Sequence, residues 1–233
     1  MKYPKLQDTP IREIIFTITH DEISGDDCFE KFVKLEDVKS RFHDHMTGSE
    51  VEFRLEEGNS SVRKTGYRLT GNKEVLNLRL GAFSYHYIGG YKDFADVEES
   101  LVNYWNKLLH CASKQINVNS ISVRYINEFE TDADHRESRI IQVYPKYSSD
   151  RKIKTYQNFV SFSYDDLLDY NIVIVSTMPN EEKVLLDITV TDSLIERFSQ
   201  QSLHKMFEPL QEIKNRAFFD SITAKALLKY LKN

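Results

Sequence analysis

The chain has 233 residues, of which 40% are hydrophobic and 12% aromatic, and its formal net charge is −5. This content supports one large domain or two closely packed halves and excludes a disordered chain. The acidic balance opposes a general nucleic-acid-binding surface, because phosphate recognition depends on clustered Lys and Arg. The purest apolar runs, 172–175 and 184–186, fall far short of the roughly 20 residues that a membrane span needs, so no membrane association is predicted.

The chain shows no secretion signal, since a strand-like pattern follows the opening MKYPKLQDTP directly. Cys28 and Cys111 both fall in predicted helices, and we interpret them as reduced core residues. These features predict a cytoplasmic protein without disulfide bonds.

The first half reads as a strand, a helix, a run of short strands and a long amphipathic helix. Apolar and polar residues alternate in the strands, and glycine-rich turns separate them. The strands are predicted at 11–19, 51–55, 62–69, 76–80 and 83–87, and the helices at 29–48 and 93–114.

The second half repeats this order. The strands are predicted at 121–129, 156–164, 171–178 and 183–191, after a weak stretch at 131–147. A final helix begins near residue 203, and Pro209 is expected to bend it or to lie in its first turn. Ser221 or Thr223 is expected to cap a short terminal helix.

This order predicts an α+β fold built from two β-α-β(3–4)-α halves, 1–117 and 118–233, that share one curved antiparallel sheet with the helices on one face. The arrangement resembles the duplicated saddle of the TATA-binding-protein fold, in which the first strands of the two halves lie side by side. The alternative is a helix-grip fold, in which the sheet wraps the last helix around a ligand cavity.

Four short motifs are spread over nearly the whole chain. They read PIREIIF at 10–16, RYIN at 124–127, LDI at 186–188 and FFDSIT at 218–223. Together they resemble a sporadically distributed, uncharacterised family of prokaryotic proteins. The resemblance implies no activity, cofactor or partner. The tryptophan expected near the entrance to the mid-chain helix is replaced here by Tyr91 and Phe94.

Glu13 and Arg124 are the main candidate binding pair. Each lies on the strand face away from the predicted helices, so the two side chains could meet if their strands are neighbours. A cross-strand ion pair contributes roughly 0.2–1 kcal/mol, which favours a structural lock between the halves; a ligand-anchoring guanidinium is the alternative. Asn127 falls on the opposite face and is expected to bind backbone groups. Asp187 interrupts an apolar strand and is expected to be ion-paired within the sheet.

Aromatic strand residues form a second candidate site. Tyr85, Tyr87, Tyr156 and Tyr164 could stack on bases. Packing in the core is the preferred interpretation, because strands favour aromatic residues for burial.

The metal and catalytic motifs are weak. In His43-Asp44-His45 the two histidines would diverge by about 200° on a helix, which favours a solvated helix end. The two side chains would converge on a metal only if this stretch is extended. Asp132, Asp134 and His135 form a loop cluster without a defining ligand spacing. The chain contains no nucleophile elbow, phosphate loop, dinucleotide motif or zinc motif. No metal site and no cofactor are therefore predicted, and catalysis is disfavoured.

The sequence thus favours a non-catalytic binding module that engages a protein partner through its sheet face or edge. A nucleic-acid-associated protein is the first alternative, which the saddle topology suggests and the acidic charge opposes. A metal-dependent hydrolase or nuclease that uses Glu13, Asp187 and a loop acid is the second.

Overall fold

The computed structural model describes residues 3–4, 6, 9–23, 26–54, 59–89, 94–112, 115–130, 156–180, 182–193 and 203–231. They form an α+β fold around one nine-stranded antiparallel sheet. The strands are β1 (Ile11–His20), β2 (Asp44–Arg54), β3 (Asn59–Thr70), β4 (Glu74–Arg79), β5 (Ala82–Ile88), β6 (Val118–Glu130), β7 (Tyr156–Phe162), β8 (Tyr170–Asn180) and β9 (Lys183–Asp192). The helices are α1 (Asp26–Val33), α2 (Glu36–Arg41), α3 (Phe94–Cys111), α4 (Leu203–Ser221) and α5 (Ala224–Leu228).

The strand order in the sheet is β2-β3-β4-β5-β1-β6-β9-β8-β7. The strands that open the two halves of the chain, β1 and β6, are antiparallel neighbours at the centre, and Phe16 lies opposite Val123. Strands β2, β3, β4 and β5 follow one another in the chain, and each pairs with the next. Strands β7, β8 and β9 do the same, so most pairings are between strands close in the chain.

Both long helices cover the same face of the sheet. Alternation along β1 places Ile14, Phe16 and Ile18 on this face, where each is 0% exposed. The Phe16 ring contacts Phe94 of α3, with centroids 5.5 Å apart, and Phe207 of α4, at 5.1 Å. We call this the helix face, and we call the opposite face, which carries Glu13 and its cross-strand neighbours, the open face.

The core lies between the helix face and the two long helices. Its largest fully buried side chains include Trp105 of α3, Tyr125 and Phe129 of β6, and Phe207 of α4. In the part of the chain that the structure describes, no helix is long and apolar enough to cross a membrane.

The first predicted helix is divided in two by an extended residue. Leu35 has φ −61° and ψ 133°, which ends α1 and lets α2 begin in a new direction with Val38 buried. The prediction of a helix end at His43-Asp44-His45 is wrong. The helix ends at Arg41, and residues 44 and 45 open β2, where they pair with Thr70 and Leu69. Pairing with a distant strand overrides the local helical pattern here.

The C-terminal helices agree in part with the prediction. Thr223 caps α5, because its side chain accepts a hydrogen bond from the Ala226 amide at 3.2 Å. Pro209 lies inside α4, beyond the first turn. The predicted stretch 131–147, with Asp132, Asp134 and His135, lies outside the described residues, as does Tyr91.

Candidate functional site

Four charged or titratable side chains meet at the centre of the open face. They come from the adjacent strands β5, β1, β6 and β9. We call them the open-face cluster: His86, Glu13, Arg124 and Asp187. The cluster spans the junction between the strands of the first and second halves of the chain.

Arg124 is held by Asp187 in a fork of hydrogen bonds. The Arg124 Nε donates to both carboxylate oxygens of Asp187, at 2.9 and 3.0 Å, and Nη2 donates to Oδ2 at 2.5 Å. The Arg124 side chain is 46% exposed, whereas that of Asp187 is 16% exposed. The hydrogen bond to Asp187 raises the pKa of Arg124 above its ordinary value. Asp187 therefore has the in-sheet ion pair that an acid in an apolar strand needs.

Glu13 binds His86 rather than Arg124. His86 Nδ1 lies 2.7 Å from Glu13 Oε1. Burial lowers the pKa of His86 below its ordinary value, against the opposing effect of Glu13. The imidazole is therefore neutral at pH 7, with Nδ1 donating to the carboxylate, and its Nε2 accepts from Asn77 Nδ2 at 2.7 Å. His86 is not among the predicted site residues, although its alternation with Tyr85 and Tyr87 places it on the face of Glu13.

The expected direct pairing of Glu13 with Arg124 is not present. The register of β1 and β6 places Glu13 opposite Ile126 and Arg124 opposite Ile15, so the two charged residues are diagonal neighbours. The Glu13 charge still acts on Arg124, since it contributes to the raised pKa of the guanidinium. The hydrogen-bonded lock at this position joins β6 to β9, not β1 to β6.

Asn127 lies on the helix face and is 1% exposed. Its Nδ2 donates to the Leu186 carbonyl at 3.0 Å and more weakly to the Tyr125 carbonyl at 3.4 Å. These bonds satisfy backbone groups, as expected from its position opposite the face of Arg124. Asn127 is therefore no part of the open-face cluster.

The tyrosines of β5 do not form a stacking surface. Tyr85 is 0% exposed, and its hydroxyl donates to Glu74 at 2.7 Å, so it cannot stack on a base and is a core residue instead. Tyr87 is on the same face and packs against the core. The guanidinium carbon of Arg216 lies 3.6 Å from the centre of the Tyr164 ring. The Tyr156 side chain lies outside the part of the chain that the structure describes.

A buried acid on the helix face is also absent from the predicted site residues. Glu74 is 6% exposed and accepts from Tyr85 and from Nε and Nη2 of Arg41, the Nη2 contact measuring 2.6 Å. This network ties α2 to β4 and β5. A single glutamate after a turn carries no sequence signal that would distinguish it from a solvated one.

The arrangement around His86 stops short of a catalytic one. Ser84 Oγ lies 3.3 Å from His86 Nε2, and the order hydroxyl, imidazole, carboxylate is the one that activates a serine. However, the Asn77 amide is closer, at 2.7 Å, and occupies the Nε2 lone pair that a base would use. Over the described ranges, no three His, Cys, Asp or Glu side chains are grouped so that they could hold a metal ion.

No protein-family model matches the chain, and no curated protein matches it. The family resemblance of the short motifs therefore stays a prediction.

We expect Arg124 to contribute to stability through its pairing with Asp187. Arg124→Ala leaves a carboxylate of low exposure without its guanidinium, and should lower the free energy of unfolding by about 1–2 kcal/mol. A double-mutant cycle with Asp187→Ala, measured by urea unfolding, should give a coupling energy of about 1 kcal/mol.

The pair Arg12–Glu128 provides a matched control. It joins the adjacent strands β1 and β6, as Arg124–Asp187 joins the adjacent strands β6 and β9, but the Arg12 side chain is 61% exposed and Glu128 also binds Lys183. Its coupling energy should be smaller. Equal coupling in the two cycles would show that the fork at Arg124 adds nothing to an ordinary surface ion pair.

Proposed function

We propose that this protein is a non-catalytic binding module that engages a protein partner through the open face of its sheet. The observation that supports this is a row of side chains, one from each of six adjacent strands, that alternates mostly between apolar and acidic. The cross-strand registers bring these residues into line. We call this the mixed row: Ile88, Glu13, Ile126, Asp187, Val175 and Phe159.

The apolar members of the mixed row are accessible where the row ends. Ile88 is 40% exposed and Phe159 is 64% exposed. With strands about 4.8 Å apart, the row is about 24 Å long, which suits one side of a standard protein interface of about 800 Å². Both long helices, α3 and α4, lie on the opposite face, so neither of them covers this row.

The charged residues in the mixed row and next to it favour a protein partner over a nucleic acid. Glu13 and Asp187 are acidic, and the only cation of the open-face cluster, Arg124, is already held by Asp187. A nucleic-acid surface needs concentrated positive charge, whereas interspersed charges around apolar side chains are typical of protein interfaces. The nucleic-acid and hydrolase alternatives gain no support, because Tyr85 is buried and both acids have partners.

We also propose that the protein has a duplicated architecture with halves 1–117 and 118–233. The strand orders β2-β3-β4-β5-β1 and β6-β9-β8-β7 mirror one another across the β1–β6 pair, which supports a saddle of the TATA-binding-protein type. In that arrangement the open face is the natural interaction surface. We further propose a cytoplasmic location, where the free thiols of Cys28 and Cys111 would stay reduced.

Site-specific photocrosslinking in cells tests the proposed surface. A photoreactive phenylalanine placed at Ile126, in the middle of the mixed row, should yield one discrete protein adduct. The same group at Asn103, which is exposed on α3, should yield none. The Ile126 adduct should disappear in a Phe159→Lys background, because a charge at the exposed end of the row opposes apolar contact.

The melting temperature of Phe159→Lys serves as the control and should stay close to that of the parent, since Phe159 is largely exposed. An adduct from Asn103 without one from Ile126 would refute the proposal. A nuclease-sensitive adduct would favour the nucleic-acid alternative, and an adduct of twice the chain mass would replace the partner with a second copy.

A further inference from the structure

A buried carboxylate lies in the contact between the two long helices, on the face opposite the mixed row. Glu98 of α3 is 1% exposed. Its Oε2 lies 2.5 Å from Nδ1 of His204 in the first turn of α4. The His204 side chain is 70% exposed, so the partner of this buried acid lies at the surface.

The two oxygens of the Glu98 carboxyl group differ in their hydrogen bonding. Glu98 Oε1 is buried and has no hydrogen-bond partner among the residues that the structure describes. A buried carboxylate needs hydrogen bonds to both oxygens and an opposite charge to offset the loss of water. One hydrogen bond to an exposed imidazole meets only part of that need, so the neutral acid suits this position better than the carboxylate.

The groups around Glu98 reinforce its preference for a proton. Burial raises the pKa of Glu98 to about 7, the positive charge of His204 opposes this, and Glu208 on the next turn of α4 adds to it. The sheet side of the helix pair is apolar, since Phe16 of β1 contacts Phe94 and Phe207. His204 and Glu208 are therefore the charged groups in the described chain that act on this carboxyl group.

We propose that the Glu98–His204 contact is a pH-sensitive latch, which holds the first turns of α4 on α3 while Glu98 is protonated and weakens when Glu98 loses its proton. Opening of the latch would expose Leu203 and Phe207, which are 1% and 0% exposed in the closed arrangement.

The direction of the pH effect follows from proton linkage. In the closed latch the pKa of Glu98 is about 7, and in the open or unfolded chain it returns towards its ordinary 4.5. Between these two values the closed form binds more protons, so the opening equilibrium increases by up to tenfold for each pH unit. The latch is tightest below about pH 4.5, weakens as the pH rises, and levels off above about pH 7.

Hydrogen exchange on the full chain tests the latch. We would measure the protection of the Phe207, Glu208 and Leu210 amides between pH 5 and 8, because these have acceptors one turn back in α4. The labelling times are corrected for the intrinsic exchange rate. In the parent protein, protection should fall by up to tenfold per unit between pH 5 and 7 and then level off. In Glu98→Gln, a neutral side chain of the same shape, protection should not follow this profile.

Two further variants keep the test decisive. Glu99→Gln removes a neighbouring exposed carboxylate of α3 and should retain the parent profile. His204→Gln removes the cation that lowers the pKa of Glu98, so the fall in protection should extend above pH 7. An unchanged profile in both Glu98→Gln and His204→Gln, or a flat profile in the parent, would overturn the proposal.

Discussion

Gly66→Ala should open the pairing between β3 and β4 and lower the free energy of unfolding by about 3 kcal/mol or more. A Cβ atom at Gly66 would lie 1.9 Å from the carbonyl oxygen of Leu78 and 2.9 Å from its carbonyl carbon. Both are backbone atoms of the neighbouring strand, so no side-chain rotation can relieve the clash. Urea unfolding, followed by circular dichroism, measures the loss.

Gly81→Ala is the matched control for this substitution. The nearest atom to a Cβ at Gly81 is the His20 carbonyl oxygen, at 3.5 Å, an ordinary contact. The change should therefore alter stability by less than about 1 kcal/mol. Similar unfolding midpoints for the two variants would show that β3 and β4 can separate at Gly66 without cost.

Lys214→Met should stabilise the protein at neutral pH. Lys214 lies on the buried side of α4 and is 7% exposed, and burial lowers the pKa of its amine to about 7. The ammonium keeps some compensation, because Nζ lies 3.7 Å from the centre of the Tyr125 ring and 2.6 Å from Asn215 Oδ1. A methionine of similar length avoids the remaining desolvation cost, which we expect to be about 2 kcal/mol.

The gain from Lys214→Met should depend on pH in a defined direction. In the folded chain the pKa of Lys214 is about 7, and in the unfolded chain it is near 10.5. The unfolded state therefore binds more protons between these values, and the stability of the parent rises with pH across this window. The advantage of the variant should be largest at pH 7 or below and should shrink towards pH 10.5.

Thermal unfolding at pH 6, 7.5 and 9 measures this difference. Lys205→Met, on the exposed side of the same helix, should show no comparable gain. A less stable Lys214→Met variant at pH 7 would show that the contacts of the ammonium outweigh its burial. A gain that is constant with pH would show that it does not come from the lowered pKa of Lys214.

The elements that the sequence predicted well are those with a strong local period. The alternation of Ile14, Phe16 and Ile18 indicated which face of β1 is buried, and that face packs against α3 and α4. The apolar stripe of α3, which includes Leu101 and Trp105, is buried as its helical spacing predicted. A repeating pattern of apolar residues indicates which side of a strand or helix is buried. This indication does not depend on the details of the surrounding fold.

The features that the sequence missed depend on partners far along the chain. His86 binds Glu13, 73 residues away, and Glu98 binds His204, 106 residues away. The strand that begins at residue 44 replaced a predicted helix end because it pairs with β3. Strand register and helix packing determine such pairings, and a local sequence pattern gives no information about either.

The sequence by itself determined an α+β protein with one face of each central strand buried, because alternating apolar residues can lower their free energy only by packing against another layer. It also placed Glu13 and Arg124 on the opposite face. Only the tertiary structure decided which charges meet. The strand register and the helix packing fix those distances to within a few ångströms, and an ion pair or a buried acid depends on distances of that size.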